Sequence, residues 1–416
     1  MDFAAPVNNE LVNGRSHGGV VPLAWHFSWL RSWPAVWAPD NMTEWQAAYA
    51  SGSRPHATPF MHPQFARAWL GAVGGQDRYR PFFLQASHSC GQRVLWLFVA
   101  AANGWRHVRE CVPIGSAIQP YSWRSQLAGY FEPIVINPRQ GPGGLLAPHF
   151  WRGFIAALRE GEADWFDDCR IARFRTGLLG TPEGAEPYTA APFLNLAPYD
   201  GIEGYIAARR PKVRSSIRRR MRRIEERGAV RLVVHDPADI EGISAWLPKL
   251  AAERERRHGS KALPGDFTRR LVTEMRDTGM VHCSTLTLDG REISWKLGYL
   301  HDGVYYGYYR AFDPDFAAVA PGQVHFHLLV ENLMAAGVHT IDFGIGTQDY
   351  KYEWTDGEEA TMASLTLHSR APVSVARRSM ASTMMQVRRL TRALPLRDTP
   401  GPSGSGPRPV PAGSED

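Results

Sequence analysis

Thr340-Ile341-Asp342-Phe343-Gly344-Ile345-Gly346-Thr347-Gln348-Asp349-Tyr350-Lys351-Tyr352-Glu353-Trp354 decides how the rest of the chain is read. A short apolar run ends in a carboxylate, two glycines follow with one residue between them, and a lysine stands between tyrosines shortly before a tryptophan. This is the pattern of a strand running into a site. Glycines let a backbone turn tightly against a ligand, and loops at strand ends carry reactive side chains.

Working outward, residues 281–288, 291–301 and 304–311 read as three strands separated by the turn signals Asp289-Gly290 and Asp302-Gly303. A helix over 322–336 and a strand over 339–343 complete the unit. The first half repeats the order. Strands are expected at 81–87, 94–102 and 105–111, with turns at Cys90-Gly91 and Asn103-Gly104, then a helix over 147–159 and a strand over 165–174. Both glycine turns recur at an offset of 199 residues. An internal duplication accounts for that offset; chance recurrence of common turns is the alternative.

The remaining chain fits around these units. Residues 1–20 form a polar lead-in, and the aromatics of 22–38 alternate as in a half-buried strand. Helices are expected from Asn41 and over 63–73, and Asp200 caps a short helix. Over 212–227, Val213, Ile217, Met221 and Ile224 line one helical face, while Arg214, Arg218, Arg219, Arg220, Arg222, Arg223 and Arg227 cover the others. This helix either docks by its apolar stripe or serves as an arm for RNA or another phosphorylated ligand. A strand at 229–235 and helices at 236–257 and 265–278 lead into the second meander. Residues 371–416 form a basic tail rich in Pro, Gly and Ser, helical over 373–393 at most and otherwise disordered. The domain reading is therefore a lead-in at 1–20, units at 21–200 and 201–370, and the tail.

Composition narrows the function classes. A length of 416 residues exceeds one ordinary core, and 44% hydrophobic residues suffice for two. No apolar run spans a membrane and no secretory signal is apparent, so a cytoplasmic location is expected. Cys90, Cys111, Cys169 and Cys283 lack metal-ligand spacing and are expected to be reduced thiols. The net charge of +6 is concentrated: 205–228 carries +8 and 371–416 carries +4, leaving the remainder near −6. Chain-wide nucleic-acid binding does not fit that distribution.

With these elements in place, the second half resembles the acyltransferase fold of the GNAT superfamily, and in detail its FemAB-like, CelD-type (cellulose-biosynthesis-associated acetyltransferase) branch, which is bacterial. The resemblance rests on Ser294-Trp295-Lys296-Leu297-Gly298-Tyr299, on 304–314, on Ala320-Pro321-Gly322-Gln323 opening a helix, and on Asp342-Phe343-Gly344-x-Gly346 followed by Tyr350-Lys351. Thr58-Pro59-Phe60 extends it into the first half, so that it covers about residues 55–368. It implies an α/β (α+β mixed-sheet) fold of tandem GNAT-like domains. It also implies an acyl donor held where the strands at 304–311 and 340–343 splay apart.

For the site, the resemblance implies Lys351 as the cation facing the charge that develops on the reacting carbonyl; a solvated lysine paired with Asp349 or Glu353 is the bland alternative. Asp342 either orients or deprotonates the acceptor, or only accepts the N–H groups of the glycine turn. Pro321, Gly322 and Gln323 at a helix N-terminus, together with Gly344 and Gly346, would hold the donor through backbone N–H groups. Tyr309, Arg310, Tyr350 and Trp354 would contact donor or acceptor, with core filling the alternative for Tyr309. The usual GNAT pyrophosphate loop, Gln/Arg-x-x-Gly-x-Gly/Ala, is absent, since Gly322 stands alone.

The expected function is N-acyl transfer from acyl-CoA to an amine or hydroxyl, without a metal, in polysaccharide or cell-envelope metabolism. Alternatives are a FemAB-type transferase using aminoacyl-tRNA and a catalytically silent component of polysaccharide assembly. Several lookalikes fail. Asp342-Phe343-Gly344 lacks the other kinase motifs, and Gly344-x-Gly346 lacks the third glycine of a dinucleotide loop. His325 and His327, two apart on a helix, point in different directions and do not share a metal.

Overall fold

The computed structural model describes residues 25–51, 57–72, 75–102, 108–116, 130–139, 144–161, 166–258, 265–355 and 357–393. The first half opens with β1 (Trp25–Leu30), α1 (Trp33–Val36), α2 (Pro39–Ser51) and α3 (Pro63–Ala72). Then come β2 (Arg80–His88), β3 (Arg93–Ala102), β4 (Arg109–Pro113), β5 (Ile134–Ile136), α4 (Phe150–Gly161), β6 (Asp168–Arg175), α5 (Thr176–Leu179) and β7 (Glu186–Asn195). The second half runs α6 (Gly201–Ala208), α7 (Pro211–Glu225), β8 (Val230–His235), α8 (Ile240–His258), α9 (Gly265–Met275), β9 (Val281–Leu288), β10 (Arg291–His301) and β11 (Val304–Phe312). It ends with α10 (Pro321–Ala335), β12 (Thr340–Asp342), α11 (Asp349–Tyr352), β13 (Glu359–His368) and α12 (Pro372–Ala393).

These strands join in one mixed sheet ordered β1-β2-β3-β4-β6-β13-β7-β12-β11-β10-β9-β8, with β5 paired to β3. Read from either end the order is the same: four antiparallel strands, a parallel neighbour reached through a helix, then an antiparallel strand. The parallel pairs are β4 with β6 and β11 with β12. The central two strands are exchanged, because β7 pairs with β12 of the second half while β13 pairs with β6 of the first. This is a tandem GNAT-like α/β fold in which each half completes the other's sheet.

Turn chemistry sets the second meander. Asp289 and Gly290 (φ 49° and 80°) and Asp302 and Gly303 (φ 53° and 71°) are all left-handed, the geometry that lets a two-residue loop follow the strand twist. Gly91 at φ 88° marks the matching first-half turn, while Asn103-Gly104 lies outside the described residues.

The sheet's two faces differ. On β10, Trp295, Leu297 and Tyr299 enter a core shared between the halves, with Phe60, Phe65 and Trp69 on one side and Ile243, Leu271 and Met275 on the other. Each such side chain contributes about 1.5–3 kcal/mol on burial, so the halves are held by more than the strand exchange. The opposite face of β10 carries Ser294, Lys296 and Gly298, and α10 packs there.

One reading of the sequence needs amending. Residues 33–36 turn into a helix instead of extending β1, because Ser32 accepts the Ala35 N–H as a cap and Pro34 suits a first turn. The helix that the sequence allows over 373–393 is present as α12, and its start is fastened: Ser374 donates to Asp167 (2.5 Å) and Arg378 donates to the Asp167 and Ser369 carbonyls. Residues 1–20 and 394–416 lie outside the described part. No helix among the described residues is long and apolar enough to cross a membrane.

Candidate active site

The site begins where a ladder stops. β11 and β12 pair in parallel only over Val304–Thr340, Tyr305–Ile341 and Tyr306–Asp342. β11 then continues to Phe312 along β10 with an extra residue, Tyr308, bulged between Gly307 and Tyr309. The chain at Asp342 instead turns away through Gly344 (φ 68°) and Gly346 (φ 102°). A bulge twists one strand off its neighbour, and the result is a cleft of about 730 Å³ between the parting strands. Its walls come from β10, β11, the start of α10 and the loop leaving β12.

Most of the residues singled out by sequence meet here. Lys351, Asp342, Gly322, Gln323, Tyr309, Arg310, Tyr350 and Trp354 all line the cleft. Pro321 begins α10 at its edge, where a proline loses nothing by lacking an N–H. Gly344 and Gly346 are not among the lining residues. Their N–H groups are already used, Gly344 on the Asp342 carboxylate (2.7 Å) and Gly346 on the Ala190 carbonyl (2.8 Å). They shape the turn rather than face the cavity.

Lys351 is buried and pairs with neither Asp349 nor Glu353. Its Nζ donates to the carbonyls of Gly344 and Ile345, both at 2.7 Å. An ammonium has three donors, so one remains for the cleft. Burial lowers its pKa to about 8, Arg310 pushes the same way and Asp342 opposes them. At neutral pH the group is still a cation, held in place by the turn it braces.

Asp342 accepts the Tyr130 hydroxyl (2.7 Å to each oxygen) as well as the Gly344 N–H. Burial raises its pKa, and the Tyr130 and Gly344 bonds hold the rise back. Tyr130 in turn lies under the Arg175 guanidinium, 4.8 Å from its ring centroid, and Arg175 forms a buried ion pair with Glu132 (2.6 Å). The first half thus reaches across the molecule to fix a carboxylate of the second.

At the other wall, Ala320 is left-handed (φ 51°) and swings the chain into α10. Among Pro321, Gly322 and Gln323, the Gln323 N–H returns to the Ala320 carbonyl (3.0 Å) and proline has none, so Gly322 carries the N–H free for a ligand. The Gln323 side chain instead accepts the Trp354 indole N–H (2.8 Å). Arg310 stacks over the Tyr350 ring at 3.6 Å.

Sequence reasoning passed over two participants. Tyr130 stands 212 residues from Asp342 and carries no local signal. Lys296 carries one: it is a lysine inside a run of buried strand residues, 6% exposed and lining the cleft. His325, by contrast, is a satisfied core histidine between Ser284 and Ser294 (3.0 Å to each hydroxyl), and neither it nor His327 lines the cleft. No cluster of three or more metal-ligating side chains occurs among the described residues.

The arginine helix α7 is docked by its stripe: Ile217 and Ile224 are buried, with Val213 and Met221 packed beside them. Arg220 reaches Glu353 (3.1 Å) and Arg223 the Ala318 carbonyl (3.0 Å), which sets α7 beside the cleft's α10 end.

Residues 211–352 match the family model described as an acetyltransferase (GNAT) domain. No curated protein matches the chain. Among solved structures the chain is similar to FemX at 9% identity, with a TM-score of 0.53 over 80% of this chain and 97% of that one. It is also similar to a tandem GNAT protein from the clavulanic acid biosynthesis pathway, at 8% identity and a TM-score of 0.43 over 83% and 99%. The matched segment begins with α7 and ends with α11, and so contains both parting strands, α10 and Lys351.

Proposed function

We propose that the cleft between β11 and β12 transfers an acyl group from acyl-CoA to an amine or hydroxyl acceptor, as a CelD-type member of the GNAT superfamily acting on polysaccharide or cell-envelope precursors. The observation that carries this reading is the termination of the parallel ladder at Tyr306 and Asp342, with Lys351 and the N-terminus of α10 both lining the opening. Acyl transfer needs a cation or N–H donors, fixed in advance, where the carbonyl oxygen becomes negative. Lys351 meets that requirement, because the Gly344 and Ile345 carbonyls hold it before any substrate arrives.

The donor's phosphates find the Gly322 N–H at the start of α10, where the helix dipole favours an anion, and the exposed arginines of α7 lie alongside. A single glycine there accommodates one close phosphate approach rather than the wrapped pyrophosphate of the usual loop. An aminoacyl-tRNA donor is the alternative, and α7 is the surface its phosphates would use.

Incubation with a panel of acyl-CoAs and amine or amino-sugar acceptors, followed by mass spectrometry of the acceptor, tests the reading. Acylated product from an acyl-CoA is expected. Product only from a charged tRNA would transfer the assignment to the FemAB type. Lys351→Ala is expected to lower turnover at least 100-fold, the order of loss for one transition-state donor, while circular dichroism stays unchanged. Unchanged turnover would remove Lys351 from the mechanism.

A further inference from the structure

We propose that Lys296 is the general base of this cleft, taking the proton from the ammonium form of an amine acceptor; the assignment rests on the acyl-transfer reading above. Lys296 sits on the α10 face of β10, opposite Arg310 on β11 and Ser284 on β9. Among the described residues no carboxylate lies within ion-pair reach of it, and its ammonium position faces the Phe326 ring at 5.3 Å. A buried lysine beside a permanent cation favours its neutral form. Burial first, and Arg310 second, lower its pKa to about 7.

The other carboxylate, amine and imidazole groups at the cleft or on the elements walling it are committed elsewhere. Asp342 has its oxygens on Tyr130 and Gly344. Lys351 is a donor to two carbonyls and serves as a cation. On α10, His325 is fixed neutral. The Ser294 hydroxyl donates to the Ala311 carbonyl (3.1 Å), so it accepts from His325 Nδ1, and the Nε2 lone pair is taken by the Ser284 hydroxyl. His282 on β9 is held neutral by burial and lies outside the lining. Tyr305 on β11 has its pKa raised by burial, which leaves it a protonated phenol at neutral pH.

The chemistry balances without a further reactant. Lys296 Nζ accepts one proton from the acceptor ammonium and later releases it to solvent. The freed amine nitrogen forms the C–N bond to the thioester carbonyl carbon, the C–S bond breaks, and the second amine proton leaves with the sulfur as the thiol.

Three measurements test this together. In the intact chain, kcat/KM is expected to rise with pH through an apparent pKa near 7. Lys296→Gln is expected to lose 10²- to 10⁴-fold and to flatten that limb while binding acyl-CoA as the wild type does. Lys296→Arg keeps the charge but cannot accept a proton, and is expected to be equally inactive. Restoration by arginine would overturn the base and make Lys296 an anchor for an anionic group. NMR titration of ¹³C-methylated lysines reads the group itself: a Lys296 signal titrating near the ordinary lysine value, with donor binding intact, overturns the proposal alone. Failure of the unmodified chain to bind any acyl-CoA overturns the acyl-transfer reading and this inference with it.

Discussion

Replacing Lys296 by methionine is expected to stabilise the protein at neutral pH, and the size of the effect follows from burial. The side chain is 6% exposed and titrates at about 7 in the folded chain, against about 10.4 in an unfolded one. Between those values the unfolded state holds a proton that the folded state lacks, so wild-type stability rises with pH across that window. At pH 7 the burial of this amine therefore costs about 4–5 kcal/mol. Methionine fills a similar volume and carries no charge, but loses the contact with Phe326, about 1 kcal/mol. The net gain is roughly 3 kcal/mol. In a chain of 416 residues that raises the melting temperature by roughly 3–4 °C. At pH 10 the advantage shrinks to below about 1 kcal/mol, because the folded-state lysine is then neutral and the unfolded one is within about half a unit of its own pKa. Differential scanning calorimetry of both proteins at pH 7 and pH 10 reads the two gaps. Equal gaps at both pH values, or a methionine variant less stable at pH 7, would refute the reasoning. A residue that costs stability and lines a cleft is what a trade between activity and stability predicts.

Two further outcomes follow from the contacts that join the halves. Tyr130→Phe removes the hydroxyl from both oxygens of a buried carboxylate, and chemical denaturation is expected to register a loss on the order of 1–3 kcal/mol. Asp167 is fully buried and accepts from the Arg109 backbone and side chain and from Ser374 on α12. Burial alone would raise its pKa, but these bonds outweigh it and the net shift is downward. Its contribution is thus present above the unfolded carboxyl value and lost as pH falls through the folded one. Asp167→Asn should cost roughly 2–3 kcal/mol at pH 7, with the gap to wild type closing below about pH 4 in melting curves.

How far the sequence discloses this architecture depends on the range of the interaction. The second meander is visible because Asp-Gly pairs supply left-handed residues at both turn positions, a local requirement with a local signature. The cleft is visible for the same reason: a strand ending in Asp342, a glycine turn and a helix opening on Pro321-Gly322 are each short patterns, and eight of the residues singled out in the sequence line one cavity. Exchange of β7 and β13 is not visible. Nothing in 186–195 marks it for pairing with 340–342 instead of β6, since either register would bury similar alternating residues. Tyr130 eluded the sequence for that reason too. Lys296 is a different case, because a charge inside a buried strand is readable as an anomaly; its cleft-facing position follows from strand alternation, with Trp295 and Leu297 in the core on the other side.

The central claim is that the opening between β11 and β12 holds an acyl donor. Isothermal titration of the wild-type chain with acetyl-CoA and longer acyl-CoAs tests it most directly, with Gly307→Trp as the control. Gly307 lines the cleft and a Cβ there meets the Asp342 carbonyl at an ordinary 3.4 Å contact, so an indole at this position is expected to fill cleft volume without disturbing the strands. Saturable binding of one donor per chain, abolished in the tryptophan variant, is the predicted result. Absence of binding by every acyl-CoA, or binding that the tryptophan leaves unchanged, would contradict it.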